Sequence, residues 1–136
     1  MQNSDPVVAD MDFIAEAIRH LGYPAEVVAL ASGGKGVHSK ANGIPFTAFM
    51  FRNDHGTSPY LMLSALFPGH PVSLEATNAW NTRFPLTRAS LSRDGDAMLT
   101  HAVLLTGIDT SHLKETMIWW DLLMRVYARE VLAGTA

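Results

Sequence analysis

Two segments in the middle of the chain are apolar on both faces if they form β-strands. Residues 44–52 read IPFTAFMFR and residues 60–67 read YLMLSALF. Successive side chains of a strand point to opposite faces, so the first segment places apolar residues on both sides. These are Ile44, Phe46, Ala48 and Met50 on one side, with Thr47, Phe49 and Phe51 on the other. A sheet with one face in water would alternate apolar and polar residues, so this chain needs cover on both faces of its sheet.

Two arrangements can cover the second face. The predicted helices can divide between the two faces, or they can all pack on one face and leave the other to a second subunit. Only 17% of the residues are charged and 48% are hydrophobic, against about 25% charged in an average soluble domain. Because a small domain has much surface to cover, this shortage of charge favours a homodimer over helices on both faces.

The first helix is predicted over residues 6–21. Asp5 would act as its N-cap, and Pro6 suits the first helical position because the missing N–H has no intrahelical partner there. Apolar residues then recur at helical spacing as far as Leu21. Gly22 favours a left-handed residue just after the end of the helix.

Two further helices are predicted in the second half of the chain. Ser73 can cap a short helix that ends at about Asn81. A long helix follows an N-cap at Asp109 or Thr110, and Trp119 lies off its apolar stripe. The stripe comprises Leu113, Met117, Trp120, Met124, Tyr127 and Val131.

Five strands are predicted between turn signals. They cover residues 27–31, 44–52, 60–67, 86–92 and 97–105. The turns are ANG at 41–43, NDHG at 53–56 and RDGD at 93–96, whose Asp94–Gly95 pair is typical of a β-hairpin; Pro68 and Gly69 would end the third strand.

The segment SGGKG at 32–36 has two interpretations. It could be a phosphate-binding loop or a simple turn. It lacks the Gly-Lys-Ser/Thr ending of such a loop and no helical pattern follows it, so a turn is favoured.

These elements predict one domain over residues 1–136. Its order is helix, three strands, helix, two strands, helix. Short turns join the consecutive strands, which therefore pair antiparallel. The predicted fold class is α+β, a five-stranded antiparallel sheet with helices packed on it.

No pattern of catalytic or metal-binding residues is present. The chain has no cysteine, its six histidines form no pair three or four residues apart, and no G-x-S-x-G motif occurs. We therefore predict a non-enzymatic protein with no catalytic residue, cofactor or metal. A net charge of −3 without a basic stripe argues against nucleic acid as a partner. The absence of a signal peptide or a long apolar run predicts a cytoplasmic protein that does not enter the membrane.

The segment NAWNTRF at 78–84 has a functional and a structural interpretation. Asn78 and Asn81 lie three residues apart on a predicted helix, so their amides share a face. They could bind a polar ligand, or they could fasten the end of the helix to the next strand while Trp80 enters the core. The structural interpretation is favoured, because Asn81 lies near the helix end, where asparagine is common.

Residues 76–131 resemble the C-terminal half of the YbjN-like proteins, which are bacterial sensory transduction regulators. The resemblance rests on an N-x-W-N helix end, an arginine before alanine in the next strand, a D-G hairpin, a glycine break and a long aromatic-rich helix. In this sequence these are Asn78, Trp80, Asn81, Arg88, Ala89, Asp94, Gly95 and Gly107 with the last helix. Family members are similar in fold to type III secretion chaperones, which commonly dimerise.

The resemblance implies regulation or stress response through protein contacts, with an unidentified protein partner. Candidate contact residues are Phe49, Phe51, Tyr60 and Trp119. A secretion-type chaperone that binds an extended effector segment is the alternative, and a small-molecule sensor or enzyme is the second alternative.

Overall fold

A computed structural model of the chain describes residues 5–51 and 59–133. The described residues form three α-helices, six β-strands and a C-terminal π-helical turn. The helices are α1 (Met11–His20), α2 (Leu74–Arg83) and α3 (Thr110–Tyr127), followed by the π-helical turn Ala128–Leu132. The strands are β1 (Ala25–Ala29), β2 (Lys35–Ala41), β3 (Ile44–Phe51), β4 (Tyr60–Pro71), β5 (Arg88–Leu91) and β6 (Asp96–Leu104).

The strands form one antiparallel sheet in the order β1-β2-β3-β4-β6-β5. The α+β class is confirmed, but the predicted count of five strands is wrong because β2 was missed. Val37, Ser39 and Ala41 of β2 are buried, while His38 and Lys40 between them are exposed. The polar side chains on its outer face and the glycines before it interrupt the apolar pattern that is typical of a buried strand.

Helix α1 begins five residues later than predicted. Its N-cap is Asp10, whose carboxylate accepts hydrogen bonds from the backbone N–H of Asp12 at 2.7 Å and of Phe13 at 3.4 Å. The preceding residues pair instead with the segment before α3, since Val7 N–H donates to the Ile108 carbonyl at 3.1 Å. The predicted end of the helix is confirmed, because Gly22 has φ +100° immediately after Leu21.

The two short hairpin turns are confirmed. Asn42 and Gly43 both have positive φ, 51° and 80°, which is the geometry that matches the twist of the flanking strands. Gly95 has φ 83° and donates its N–H to the Ser92 carbonyl at 3.0 Å. The segment 32–36 leads from β1 into β2 through a turn, and the predicted turn at 53–56 lies outside the described residues.

Three strands differ from the prediction by two residues or more at one end or both. Strand β4 continues through Pro68 and Gly69 to Pro71, because a shift in register between Phe67 and Pro71 accommodates them against β6. Strand β5 begins at Arg88, after a turn in which Pro85 takes part, and not at Leu86. Strand β1 lies two residues earlier than predicted.

All three helices pack on the same face of the sheet. Every buried apolar residue of the strands points to that face, and rings from α3 meet it: Trp120 contacts Phe46 edge-on at 5.9 Å, and Tyr127 lies 5.5 Å from Phe67. The alternative in which the helices divide between the two faces is therefore wrong. The buried apolar residues of the strands are Val37, Ala41, Phe46, Ala48, Leu61, Leu63, Ala65, Phe67, Ala89, Ala97, Leu99 and Val103.

Candidate interaction surface

The face of the sheet opposite the helices carries a compact apolar patch. The register of β3, β4 and β6 places its residues in two adjacent rows, because residues paired across strands share a face. The first row is Phe49, Met62 and Ala102, and the second is Phe51, Tyr60 and Leu104. We call these six residues the open-face patch.

The open-face patch is accessible in the single chain. Leu104 is 74% exposed and Phe51 is 42% exposed, although both are large apolar side chains. The rings of Phe51 and Tyr60 stack, with centroids 5.0 Å apart and an angle of 21° between their planes. The stack holds these two rings together on the surface, where a partner can cover them as a unit.

Polar residues border the open-face patch on one side. Thr47, Ser64 and Thr100 form the next row across the same three strands, and Leu66 and Met98 follow. The charged residues of this face lie away from the open-face patch, with Glu26 on β1, Lys40 on β2, Arg88 on β5 and Asp96 at the start of β6. The centre of the face is thus apolar and uncharged, as the centres of protein interfaces commonly are.

Three of the four residues predicted for contact lie together. Phe49, Phe51 and Tyr60 all belong to the open-face patch. Trp119 lies elsewhere, on α3 in the helix layer, where it is 45% exposed beside the edge of β6.

Trp80 lies in the core at the end of α2. Its indole N–H donates to the Thr87 hydroxyl at 3.1 Å, and its ring lies 4.3 Å from that of Phe84 and 5.0 Å from that of Tyr127. The single polar atom of the side chain is satisfied within the core, so Trp80 serves to join α2, α3 and the approach to β5.

Asn81 hydrogen-bonds both backbone groups of one strand residue. Its side-chain N–H donates to the Ala89 carbonyl at 3.0 Å, and its side-chain oxygen accepts from the Ala89 N–H at 2.7 Å. The amide thus occupies the place of a further strand along β5, so the position of Asn81 matches the structural interpretation. Asn78 is exposed, and no hydrogen bond of its side chain occurs within residues 5–51 and 59–133.

The remaining motif residues lie around the β5–β6 hairpin. Arg88 is exposed at the start of β5, and its carbonyl accepts a hydrogen bond from the Thr100 hydroxyl at 3.4 Å. Asp94 is exposed in the turn beside Gly95. Their positions are those of a hairpin and its margin.

The sequence did not reveal the edge of β6. Strand β5 pairs with β6 only as far as Arg88 opposite Thr100, so residues 101–104 of β6 extend beyond it. Pro85 was the nearest sequence signal, because proline favours turns and residues 85–87 form the turn that delays the start of β5.

Burial shifts the pKa of two side chains in the helix-covered layer. Burial lowers the pKa of His101, although its Nδ1 lies 2.8 Å from the Leu86 carbonyl, which raises it in part. A carbonyl can only accept, so Nδ1 carries the proton. Burial raises the pKa of Tyr127 to about 12. The Tyr127 hydroxyl and the Trp120 indole N–H have no hydrogen-bond partner within the described part of the chain.

Neither a metal cluster nor a membrane span is present in residues 5–51 and 59–133. No three His, Asp or Glu side chains of these residues are grouped so that they could hold an ion. None of their helices combines the length and the hydropathy that crossing a membrane requires.

Comparison with known proteins identifies the family. Residues 10–133 match the model of the YbjN family, described as "Putative bacterial sensory transduction regulator". No curated protein matches the chain significantly. Since the family match covers nearly the whole chain, the chain belongs to the YbjN family.

Proposed function

We propose that this YbjN-family chain is a non-enzymatic cytoplasmic regulator that acts by protein–protein contact through the open-face patch. The observation that carries the proposal is the second face of the sheet, which no helix within residues 5–51 and 59–133 covers. Monomeric proteins rarely leave a contiguous apolar surface of this kind in water, and such surfaces commonly mark interaction sites.

We also propose that a second copy of the chain covers this face when no other partner is bound, so that the homodimer and the regulatory contact use the same surface in turn. Two identical faces related by a two-fold axis bring each residue against its own counterpart or a near neighbour. The centre of the face carries no charge, so this contact involves no like-charge repulsion. The threonine and serine row beside the patch supplies hydroxyl groups that hydrogen-bond equally well in either direction.

The distribution of shifted pKa values supports a non-enzymatic role. Catalytic sites gather several perturbed groups around one cleft. Here the pKa of Tyr23 is raised mainly by burial, with a contribution from Asp121, while burial shifts those of His101 and Tyr127. These three groups lie on separate elements and do not face a common cleft.

A type III secretion-type chaperone is the second candidate. The order of elements supports it in part, since a helix, several strands, a second helix, two strands and a long helix follow one another, although four strands precede α2 where those chaperones have three. A chaperone would use its exposed apolar surface to hold a segment of a secreted protein. The two candidates therefore differ in the partner that they bind.

Affinity capture from a native lysate tests the proposal. The bait is the full chain, compared with Met62→Glu in the centre of the open-face patch and with Leu74→Glu as the control. Leu74 is exposed on α2, on the other side of the sheet. We expect wild type and Leu74→Glu to capture the same protein in repeated experiments, and Met62→Glu to fail to capture it. Equal capture by all three baits would contradict the proposal, and a captured secreted effector would favour the chaperone.

A further inference from the structure

The edge of β6 beyond β5 offers unpaired backbone groups. Asn81 binds both backbone groups of Ala89, so these groups point away from β6. Ala89 lies opposite Leu99, and in an antiparallel pair the bonded and non-bonded positions alternate. Met98 and Thr100 therefore direct their N–H and C=O groups towards β5.

The same alternation places Ala102 and Leu104 at a free edge. Their N–H and C=O groups point to the side on which β5 would continue, but β5 begins only at Arg88. No hydrogen bond to these groups occurs within residues 5–51 and 59–133. An edge with unpaired groups is a template for a further strand.

A groove runs along this edge, between β6 and α3. Its volume is 570 Å³, and the described residues of its wall combine apolar side chains with two threonines, two histidines and a single carboxylate, that of Glu115. Leu86, Leu104 and Trp119 line it and are 48%, 74% and 45% exposed. Tryptophan is among the residue types most enriched in the few interface residues that contribute most of the binding energy.

The charge of the groove restricts its occupant. Within residues 5–51 and 59–133 no lysine or arginine lines it. Its two histidines are His112, near the start of α3, and His101, which favours its neutral form because burial lowers its pKa. The carboxylate of Glu115 is therefore complementary to a basic side chain.

We propose that the groove binds an extended segment of a partner protein, which adds a strand to β6 at Ala102 and Leu104. The segment carries apolar side chains at alternate positions, which pack on Trp119 and Leu86, and a lysine or arginine that pairs with Glu115. Backbone hydrogen bonds supply affinity in this mode of recognition, and the side-chain pockets supply specificity. The inference rests on the proposed role in protein contact and names a second site for it, separate from the centre of the open-face patch.

A displayed library of random twelve-residue peptides tests the proposal. Peptides are selected on the full chain, and their affinities are then measured by fluorescence anisotropy. Ala102→Pro removes only the N–H that faces the free edge, because the pairs on either side of it with β4 are kept. Ala102→Ser keeps that N–H and is the matched control. We expect selected peptides to contain a basic residue and to bind Ala102→Pro roughly tenfold or more weakly than Ala102→Ser.

Side-chain variants on α3 keep the test decisive if Ala102→Pro does not fold. Trp119→Ala and Glu115→Lys change the groove without touching the sheet, and both are expected to weaken the same peptides. Met62→Glu should leave peptide binding unchanged. Peptides that lose affinity for Met62→Glu alone would contradict binding in the groove and would identify the open-face patch as the peptide site. Failure to select any peptide, or equal binding to every variant, would also contradict binding in the groove.

Discussion

The clearest test of the local structure is the substitution Asn81→Ala. The wild-type amide satisfies both backbone groups of Ala89, which is only 3% exposed. An alanine at this position cannot replace either hydrogen bond. The edge of β5 would then hold an N–H and a C=O that are shielded from water on most sides.

The magnitude follows from the two groups left without partners. Each buried unsatisfied backbone group costs about 1–3 kcal/mol, so two such groups cost about 2–6 kcal/mol. The lower part of this range, about 2–4 kcal/mol, applies before any compensation, because the outer edge of β5 keeps some access to water. Alanine favours a helix over asparagine by roughly 0.6 kcal/mol, which offsets part of the loss. We therefore expect the free energy of unfolding to fall by about 2–3 kcal/mol, a large share of the 5–15 kcal/mol typical of a domain.

Urea unfolding measures this change, and Asn78→Ala provides the control. Asn78 lies on the same helix but is exposed, so its replacement should change stability only by the gain in helix propensity. With a slope of roughly 2 kcal/mol per molar urea, Asn81→Ala should lower the midpoint by about 1–1.5 M. Equal midpoints for the two variants would refute the reasoning, as would an Asn81→Ala chain that kept full stability but lost a binding partner.

Three further predictions concern other polar groups. Tyr127→Phe removes a hydroxyl that has no partner within the described chain, so the melting temperature should stay the same or rise, and a fall of several degrees would reveal an unseen partner. Asp121→Ala removes the carboxylate that accepts hydrogen bonds from Tyr23 Oη at 3.1 Å and from Asn42 Nδ2 at 2.6 Å. The free energy of unfolding should fall by about 2–3 kcal/mol. The ultraviolet titration of Tyr23 should also move to lower pH, because Asp121 contributes to the raised pKa of Tyr23. The lowered pKa of His101 predicts that stability falls as pH drops below the unfolded value of about 6.5, because the unfolded chain takes up the proton more readily; urea unfolding from pH 7.5 to 5 should show a shallower fall in His101→Gln than in wild type.

Local signals predicted the parts of the fold that local chemistry determines. The turns at Asn42–Gly43 and Gly95, and the caps at Ser73 and Asp109, depend on residues within three or four positions of one another. Such features can be read from a single sequence because the physical cause lies in the segment itself.

The wrong start of α1 has a non-local cause. Asp5 and Pro6 have the pattern of a helix start, but the backbone there pairs with the segment before α3, about a hundred residues away. The Thr110 N–H donates to the Asp5 carbonyl at 2.8 Å, so a long-range contact overrides the local preference.

The open-face patch and the groove also differ in how far the sequence predicts them. The open-face patch was predictable from Phe49, Phe51 and Tyr60, because alternation along β3 and β4 fixes the face of each side chain. The groove beside β6 was not, since it depends on where β5 begins and on the position of α3 across the edge. Trp119 was singled out as an unusual aromatic residue, but its neighbours could not be known from the sequence.

The central claim is that a second copy of the chain covers the open-face patch. Size-exclusion chromatography with light scattering at micromolar concentration measures the mass in solution directly. We expect wild type and Leu74→Glu to have twice the mass of one chain, and Met62→Glu to have the mass of a single chain. A wild-type chain that is cleanly monomeric, or a Met62→Glu chain that remains dimeric and folded, would contradict the claim.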